Sequence, residues 1–155
     1  MKSLLQSFRQ PLQAVPTKTF LFLLIVALFG FADASYLTIE HYQNAIPPCS
    51  VGSCELVLTS AYANVLGMPV SLYGALFYLI FLIGAFAYLE GKREKALRFA
   101  LVVSLPAGIA ALVFIALMVF VIRAWCIYCL TSDILTIIIA LSAWRIFAKY
   151  TQKGN

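Results

Sequence analysis

The chain alternates between long apolar runs and short polar segments. Four apolar runs, at residues 19–39, 70–89, 99–122 and 126–147, match the ~20 residues that a helix needs to cross a bilayer. Runs of this length are too long for strands, and they contain too few charges for helices of a water-soluble domain. The pattern predicts an all-α integral membrane protein, a four-helix bundle forming one domain over residues 1–155.

The longest connection, residues 40–69, follows the first span and has none of the composition of a flexible linker. Its first half, HYQNAIPPCSVGSC, is rich in turn-forming residues. Its second half predicts a short amphipathic helix, because apolar residues recur every four positions after Cys54. Ser53 is placed to cap this helix, and Gly67 with Pro69 to end it. We expect it to lie in the membrane interface across the bundle mouth, either as a surface anchor or as a lid.

Composition supports a location in the bilayer. Hydrophobic residues make up 63% of the chain and charged residues 11%, against roughly 45–50% and about 25% in soluble domains. This excludes a water-soluble enzyme, a disordered chain and a nucleic-acid-binding module.

The net charge of +5 is a topology signal. Basic residues cluster before the first span, between the second and third, and around the end of the fourth. By the positive-inside rule these segments face the cytoplasm. We therefore expect both termini in the cytoplasm and the residue 40–69 loop on the opposite side, which is the periplasm, the cell exterior or an organelle lumen. The ten residues concerned are Lys2, Arg9, Lys18, Lys92, Arg93, Lys95, Arg98, Arg145, Lys149 and Lys153.

The four cysteines form two close pairs, Cys49/Cys54 and Cys126/Cys129, both on the predicted outer side. Disulfides form and persist in such compartments. The C-x-x-C pair opens the last span, where backbone N–H groups and the helix dipole favour a thiolate at Cys126. The C-x4-C pair surrounds Gly52 and can close into a small, exposed disulfide ring of the labile kind.

Three interpretations of these cysteines compete: two structural disulfides, a four-thiolate zinc site, and a thiol–disulfide relay. The relay is favoured because one mobile and one fixed pair suit exchange through mixed disulfides. No haem, iron–sulfur or dinucleotide motif supplies an acceptor, so the membrane location suggests a quinone (ubiquinone or menaquinone) beside Cys129, and no metal. Asp133, one turn deeper, is expected either to serve the quinone or only to satisfy a neighbouring hydroxyl.

Three further polar residues are given minor roles. Asp33 is expected to pair with nearby hydroxyl or backbone groups inside the bundle. His41 is interpreted as an interfacial residue, and Tyr128 as a residue that at most tunes the C-x-x-C pair.

The stretches CSVGSCELVLTSAYANVLGMPVSLYG, CIYC and ADASYLTIEHY resemble the vitamin K epoxide reductase family, over about residues 30–132. The resemblance implies a four-helix bundle around a quinone. It also implies disulfide-bond formation, the activity of bacterial members, and with it an integral protein of a bacterial inner membrane. Many of those carry a fused thioredoxin-like domain after an extra span, so a separate thioredoxin-like partner is implied here.

The family mechanism maps onto the four cysteines. Cys49 is implied to form a mixed disulfide with the partner. Cys54 then attacks the Cys126–Cys129 disulfide to give a transient Cys54–Cys126 bridge. Cys129, freed as a thiolate, reduces the quinone.

The resemblance also implies a quinone pocket. Ser60 matches a family position near the active centre. Vertebrate members have asparagine in place of Val70 and tyrosine in place of Asp133, and these two residues hydrogen-bond the vitamin K oxygens. Their replacement favours disulfide formation with an ordinary quinone. The alternatives are a vitamin K quinone or epoxide reductase that uses the same site, and a structural membrane protein with static disulfides.

Overall fold

A computed structural model of the chain describes residues 16–49, 52–91 and 94–153. Its helices and strands follow one another in a simple order. They are α1 (Thr17–Tyr42), α2 (Cys54–Leu58), a 3-10 turn (Ala61–Ala63), β1 (Asn64–Val65), β2 (Met68–Pro69), α3 (Val70–Gly91), α4 (Glu94–Ala116), a π-helix (Leu117–Ile122) and α5 (Ile127–Lys153).

The predicted membrane bundle is confirmed. Among the described residues, four helices are long and apolar enough to cross a membrane: α1, α3, α4 with its π-helical extension, and α5. Large apolar side chains cover the outside of these helices, as in Phe29, Ile83 and Trp144. This surface is typical of a protein whose solvent is lipid. The helices run past the predicted spans, because their hydrogen bonding continues into the polar residues that flank each apolar run.

Small residues let the helices pack closely. A Cβ atom on Gly30 of α1 would overlap the buried ring of Tyr78 on α3, and one on Gly108 of α4 would lie 2.5 Å from the Cβ of Ala140 on α5. Close approach through small residues is a common packing mode for membrane helices. It joins α1 to α3 and α4 to α5 over a shared apolar core.

The predicted amphipathic helix is wrong beyond Leu58. The backbone leaves the helix at Ser60, which is extended (φ −65°, ψ 156°), and the Ser60 hydroxyl donates to the carbonyl of Val57 at 2.7 Å. Ser and Thr side chains that bond to nearby carbonyls compete in this way with helix continuation. Ser53 stands at the start of α2, but its side chain makes no capping hydrogen bond.

The residues after the 3-10 turn form a tight hairpin instead of a helix. Strands β1 and β2 pair antiparallel, with Val65 opposite Met68. The two turn residues, Leu66 and Gly67, both have positive φ, as a two-residue hairpin turn of type I′ requires. Gly67 therefore serves this turn and does not end a helix.

The chain widens into a π-helix where α4 approaches the last span. This segment ends at Arg123, whose φ is +54°, and the Ala124 N–H donates to the carbonyl of Met118 at 3.2 Å. Single π-helical turns are often found at functional sites. Here the segment leads directly into Cys126, at the same end of the bundle as the residue 40–69 loop.

Candidate active site

The loop cysteines are joined in a disulfide. Cys49 and Cys54 are bonded, with their Cα atoms 6.1 Å apart. Cys54 is the first residue of α2 and is 1% exposed, whereas Cys49 is only half-buried. Of the two sulfur-bearing residues, Cys49 is therefore the more accessible from outside.

Main-chain contacts dock the loop onto the segment before the last span. The Ser53 N–H donates to the carbonyl of Trp125 at 2.8 Å, and Gly52 pairs with Cys126 in an antiparallel bridge. Gly52 has a φ of +97°, and a Cβ there would collide with the Trp125 carbonyl oxygen. Only glycine accommodates both the backbone angle and this approach.

Cys54 and Cys126 lie in one buried apolar cluster. Cys126 is 0% exposed, and both cysteines pack with Val57, Met118 and Ala124. The half-buried Cys49 and Cys129 contact the edge of the same cluster. All four predicted cysteines are thus brought together, with one member of each pair at the centre.

Cys126 occupies the N-cap position of α5. Its carbonyl accepts a hydrogen bond from the Leu130 N–H at 2.9 Å, and its Sγ accepts one from the Cys129 N–H at 3.3 Å. Both thiols of this pair are free. The pKa of Cys126 lies below the ordinary cysteine value, because the Cys129 thiol donates a hydrogen bond to it and neighbouring backbone N–H groups add to this effect, while burial opposes it.

A cavity of about 220 Å³ lies between the loop and the long helices. Its wall is mainly apolar, with Leu37, Phe77 and Phe114 among the contributors. The residues predicted for a quinone pocket all line it, together with the C-terminal cysteine of the C-x-x-C pair. They are Ser60, Val70, Cys129 and Asp133.

Three neighbouring polar residues of α5 line the cavity, Ser132, Asp133 and Thr136. The Tyr78 hydroxyl contacts the carbonyl of Ser132 at 2.7 Å and the hydroxyl of Thr136 at 2.9 Å. Among the described residues, the Oδ2 atoms of Asp33 and Asp133 are buried without a hydrogen-bond partner. The Oδ2 atom of Asp33 thus makes no hydrogen bond of the kind expected for this residue, and both predicted roles of Asp133 stay predictions.

Two features of the site were not predicted from the sequence. His41, interpreted as interfacial, lines the cavity. Its spacing of four from Leu37 and seven from Ala34 places it on one helix face with two other lining residues, and this signal was available. The Tyr128 hydroxyl donates to the carbonyl of Pro48 at 3.2 Å, across 80 residues. No sequence pattern announces that bond.

These features define a class, a helical membrane protein with two adjoining cysteine pairs at one end and a cavity beneath them. The model of the Vitamin K epoxide reductase family matches residues 21–144, and the chain belongs to that family. Its members are oxidoreductases that in general exchange electrons between thiols or disulfides and a quinone in the membrane, and they generally work with a thioredoxin-like partner. No curated protein matches the chain.

Proposed function

We propose that this protein oxidises a thioredoxin-like partner and passes the electrons through its two cysteine pairs to a lipid quinone. One observation carries the proposal: Cys54 and Cys126 are buried in the same cluster, and Cys129 continues from that cluster into the cavity wall. The cysteines thus form a continuous path from the surface to the cavity. Static structural disulfides have no need of such a path.

Electrons enter at Cys49. A partner thiolate attacks the Cys49 sulfur, the Cys49–Cys54 bond breaks, and the bonding electron pair leaves on Cys54. The partner's second thiol then resolves the mixed disulfide, so that the partner leaves oxidised and Cys49 is a thiol. The greater accessibility of Cys49 supports this order, because an attacking sulfur must approach along the disulfide axis.

Transfer to the second pair runs through Cys54. Its thiolate attacks the Cys126 sulfur of an oxidised Cys126–Cys129 pair, and the electron pair leaves on Cys129. Cys49 then attacks Cys54, which restores the loop disulfide and releases Cys126 as a thiolate. A lowered pKa makes Cys126 a better leaving group in this second step.

The cavity suits a quinone ring. An apolar cavity of about 150 Å³ accommodates benzene, and the one here is larger and has Ser60, His41 and Asp133 in its wall. The Ser60 hydroxyl already donates to the Val57 carbonyl. The His41 imidazole and the Asp133 carboxyl in its protonated form would therefore donate to ring oxygens, and Val70 would pack against a ring face. Ubiquinone or menaquinone bound there accepts two electrons and two protons.

An ordinary quinone is preferred to an epoxide as the acceptor. The wall has the aliphatic side chain of Val70 and the carboxyl of Asp133, where the vertebrate members of the family have the asparagine and tyrosine that hold vitamin K.

The charge pattern supports a bacterial inner-membrane location with both termini in the cytoplasm. On this topology the cysteine pairs face the extracytoplasmic side, where a separate thioredoxin-like protein can reach Cys49. The oxidising character of that compartment suits the proposed direction of electron flow.

Quinone reduction by purified protein tests the proposal. The protein in detergent is given ubiquinone or menaquinone, with either a reduced thioredoxin-like protein or a small dithiol. Wild type turns over with both donors, and Cys129→Ala with neither. Cys49→Ala fails with the protein donor but works with the small dithiol, which reaches the buried pair directly. Absence of quinone reduction by wild type with any donor contradicts the proposal.

A cavity-filling variant separates quinone binding from thiol exchange. Ala111 is buried and lines the cavity, so the larger side chain of Ala111→Phe occupies space that the quinone ring needs and lowers quinone turnover by roughly tenfold or more, the effect of a loss of ~1.4 kcal/mol in binding. Ala116, on the exposed side of the same helix, provides the matched control, and Ala116→Phe keeps the wild-type rate. Equal rates in the two variants contradict a quinone site in this cavity.

A further inference from the structure

We infer that Tyr128, between the two cysteines of the C-x-x-C pair, is a positioning residue that determines which loop cysteine reaches Cys126. The inference rests on the proposed relay and adds to it a source of selectivity. Both loop cysteines become available as thiols once the partner has been oxidised, and both contact the cluster around Cys126. Only a bond to Cys54 leaves Cys49 at the surface for the partner.

The cysteine ring is held to the start of α5 at both of its stems. On the C-terminal side, the main-chain bond from Ser53 to Trp125 lies directly before Cys54. On the N-terminal side, the Tyr128 hydroxyl donates to the carbonyl of Pro48, the residue directly before Cys49. Each cysteine thus has a hydrogen bond beside it that anchors the chain. The one beside Cys49 comes from a single phenol.

The phenol of Tyr128 is itself held in place. Its ring packs against Tyr36 of α1, with ring centroids 5.7 Å apart and planes tilted by 55°. The stem that it binds is stiff, because Pro48 follows Pro47, whose side chain is fully buried, and proline fixes φ. Three elements therefore meet at this contact: α1, the loop stem and the first turn of α5.

The two anchors give the loop cysteines different reach. Cys54 packs in the same buried cluster as Cys126. Its thiolate therefore attacks the Cys126 sulfur, the bond to Cys129 breaks, and the electron pair leaves on Cys129. Cys49 is kept back at the surface by its stem. Loss of the phenol hydroxyl removes one of the contacts that hold that stem and lets Cys49 compete for Cys126, forming a disulfide that is useless to the relay.

Disulfide partition in a three-cysteine protein tests this inference without quinone. The Cys129→Ala variant, with Cys49, Cys54 and Cys126 intact, is equilibrated in a buffer of reduced and oxidised glutathione, which serves as the oxidant. Peptide mass spectrometry then gives the ratio of Cys54–Cys126 to Cys49–Cys126. We expect this ratio to be well above one. Adding Tyr128→Phe lowers it about fivefold, the loss typical of one neutral hydrogen bond.

Tyr73 provides a matched control. Its hydroxyl also donates to a loop carbonyl at 3.2 Å, that of Val65, but this bond lies in the hairpin, far along the chain from the cysteine ring. Tyr73→Phe in the same background leaves the ratio unchanged. Tyr36→Leu, which removes the ring beside Tyr128, lowers it.

The outcomes separate this inference from the proposed function. A ratio near one with Tyr128 present, an unchanged ratio in Tyr128→Phe, or an equal fall in Tyr73→Phe overturns the positioning role. None of these results depends on quinone reduction, so a protein that partitions its disulfides as expected but reduces no quinone contradicts the proposed function alone.

Discussion

The sulfur of Cys126 accepts a hydrogen bond at the start of a helix, and in the proposed relay it is also the atom that Cys54 attacks. Hydrogen bonds from the Cys129 N–H, at 3.3 Å, and from the Cys129 thiol favour negative charge on this sulfur. Attack by Cys54 requires the Cys126 sulfur to form a disulfide with Cys54 and then to leave it. A stabilised thiolate serves both, since a sulfur that carries charge easily also leaves easily.

The lowered pKa of Cys126 can be measured directly. In reduced protein carrying Cys49→Ala and Cys54→Ala, thiolate absorbance in the ultraviolet reports the first deprotonation of the remaining pair. A hydrogen bond to the charged form lowers a pKa, so we expect the thiolate to appear below the ordinary cysteine value of about 8.5. Adding Cys129→Ala removes the donor thiol and shifts the transition to higher pH. A shift to lower pH contradicts this assignment.

Much of the candidate site could be predicted from residue types and their spacing. The cysteine pairs were visible as C-x4-C and C-x-x-C, and the structure brings them together. Asp133 was found because a carboxyl inside an apolar span is costly and so calls for an explanation. The Tyr128–Pro48 bond was not predictable, because it joins residues 80 positions apart through a carbonyl that any residue possesses.

The residue 40–69 loop shows where periodicity fails at the scale of an element. A four-residue repeat of apolar side chains predicted a helix that Gly67 and Pro69 end, yet the α-helix covers only Cys54–Leu58. The repeat is real, but the hydroxyl of Ser60 and the hairpin turn at Leu66 and Gly67 interrupt the backbone. The shorter pieces still bring Val57 and Ser60 to the cavity, so the segment covers it without being one helix.

Two glycines in this loop give a controlled test of its docking. Gly52 and Gly67 both have positive φ, but a Cβ on Gly52 meets the Trp125 carbonyl, while one on Gly67 meets nothing within 4 Å. Both alanine variants incur backbone strain of ~1–2 kcal/mol. Only Gly52→Ala also lifts the loop from the start of α5.

The readout is the Cys54–Cys126 disulfide in the Cys129→Ala background. We expect Gly52→Ala to lower its yield about tenfold or more, since one lost main-chain bond and a backbone collision add to the strain. Gly67→Ala should lower thermal stability but keep the wild-type yield. Equal yields in the two variants would show that the Gly52 contact does not dock the loop.

At the scale of the whole molecule, the bilayer made the fold predictable. In a bilayer every backbone polar group needs a partner within the protein, so an apolar run of this length is almost always a helix. Hydropathy alone therefore predicted the four long helices found among the described residues. The shape of the cavity could not be predicted from the sequence. Its wall combines the loop with side chains from α1, α3, α4 and α5, and the rotation of these helices relative to one another depends on packing. Of the lining residues that were predicted, Ser60 and Val70 were found only because they match positions of a known family.

The most direct test of the relay is a single turnover without any partner. Fully reduced protein is mixed anaerobically with an excess of quinone, and quinol formation is followed together with the disulfides that appear. With Cys49→Ala and Cys54→Ala in place, the account predicts one quinol for each protein and a new Cys126–Cys129 disulfide, formed at the same rate. Quinol without that disulfide, or no quinol at all, would contradict electron transfer from the Cys126–Cys129 pair to quinone.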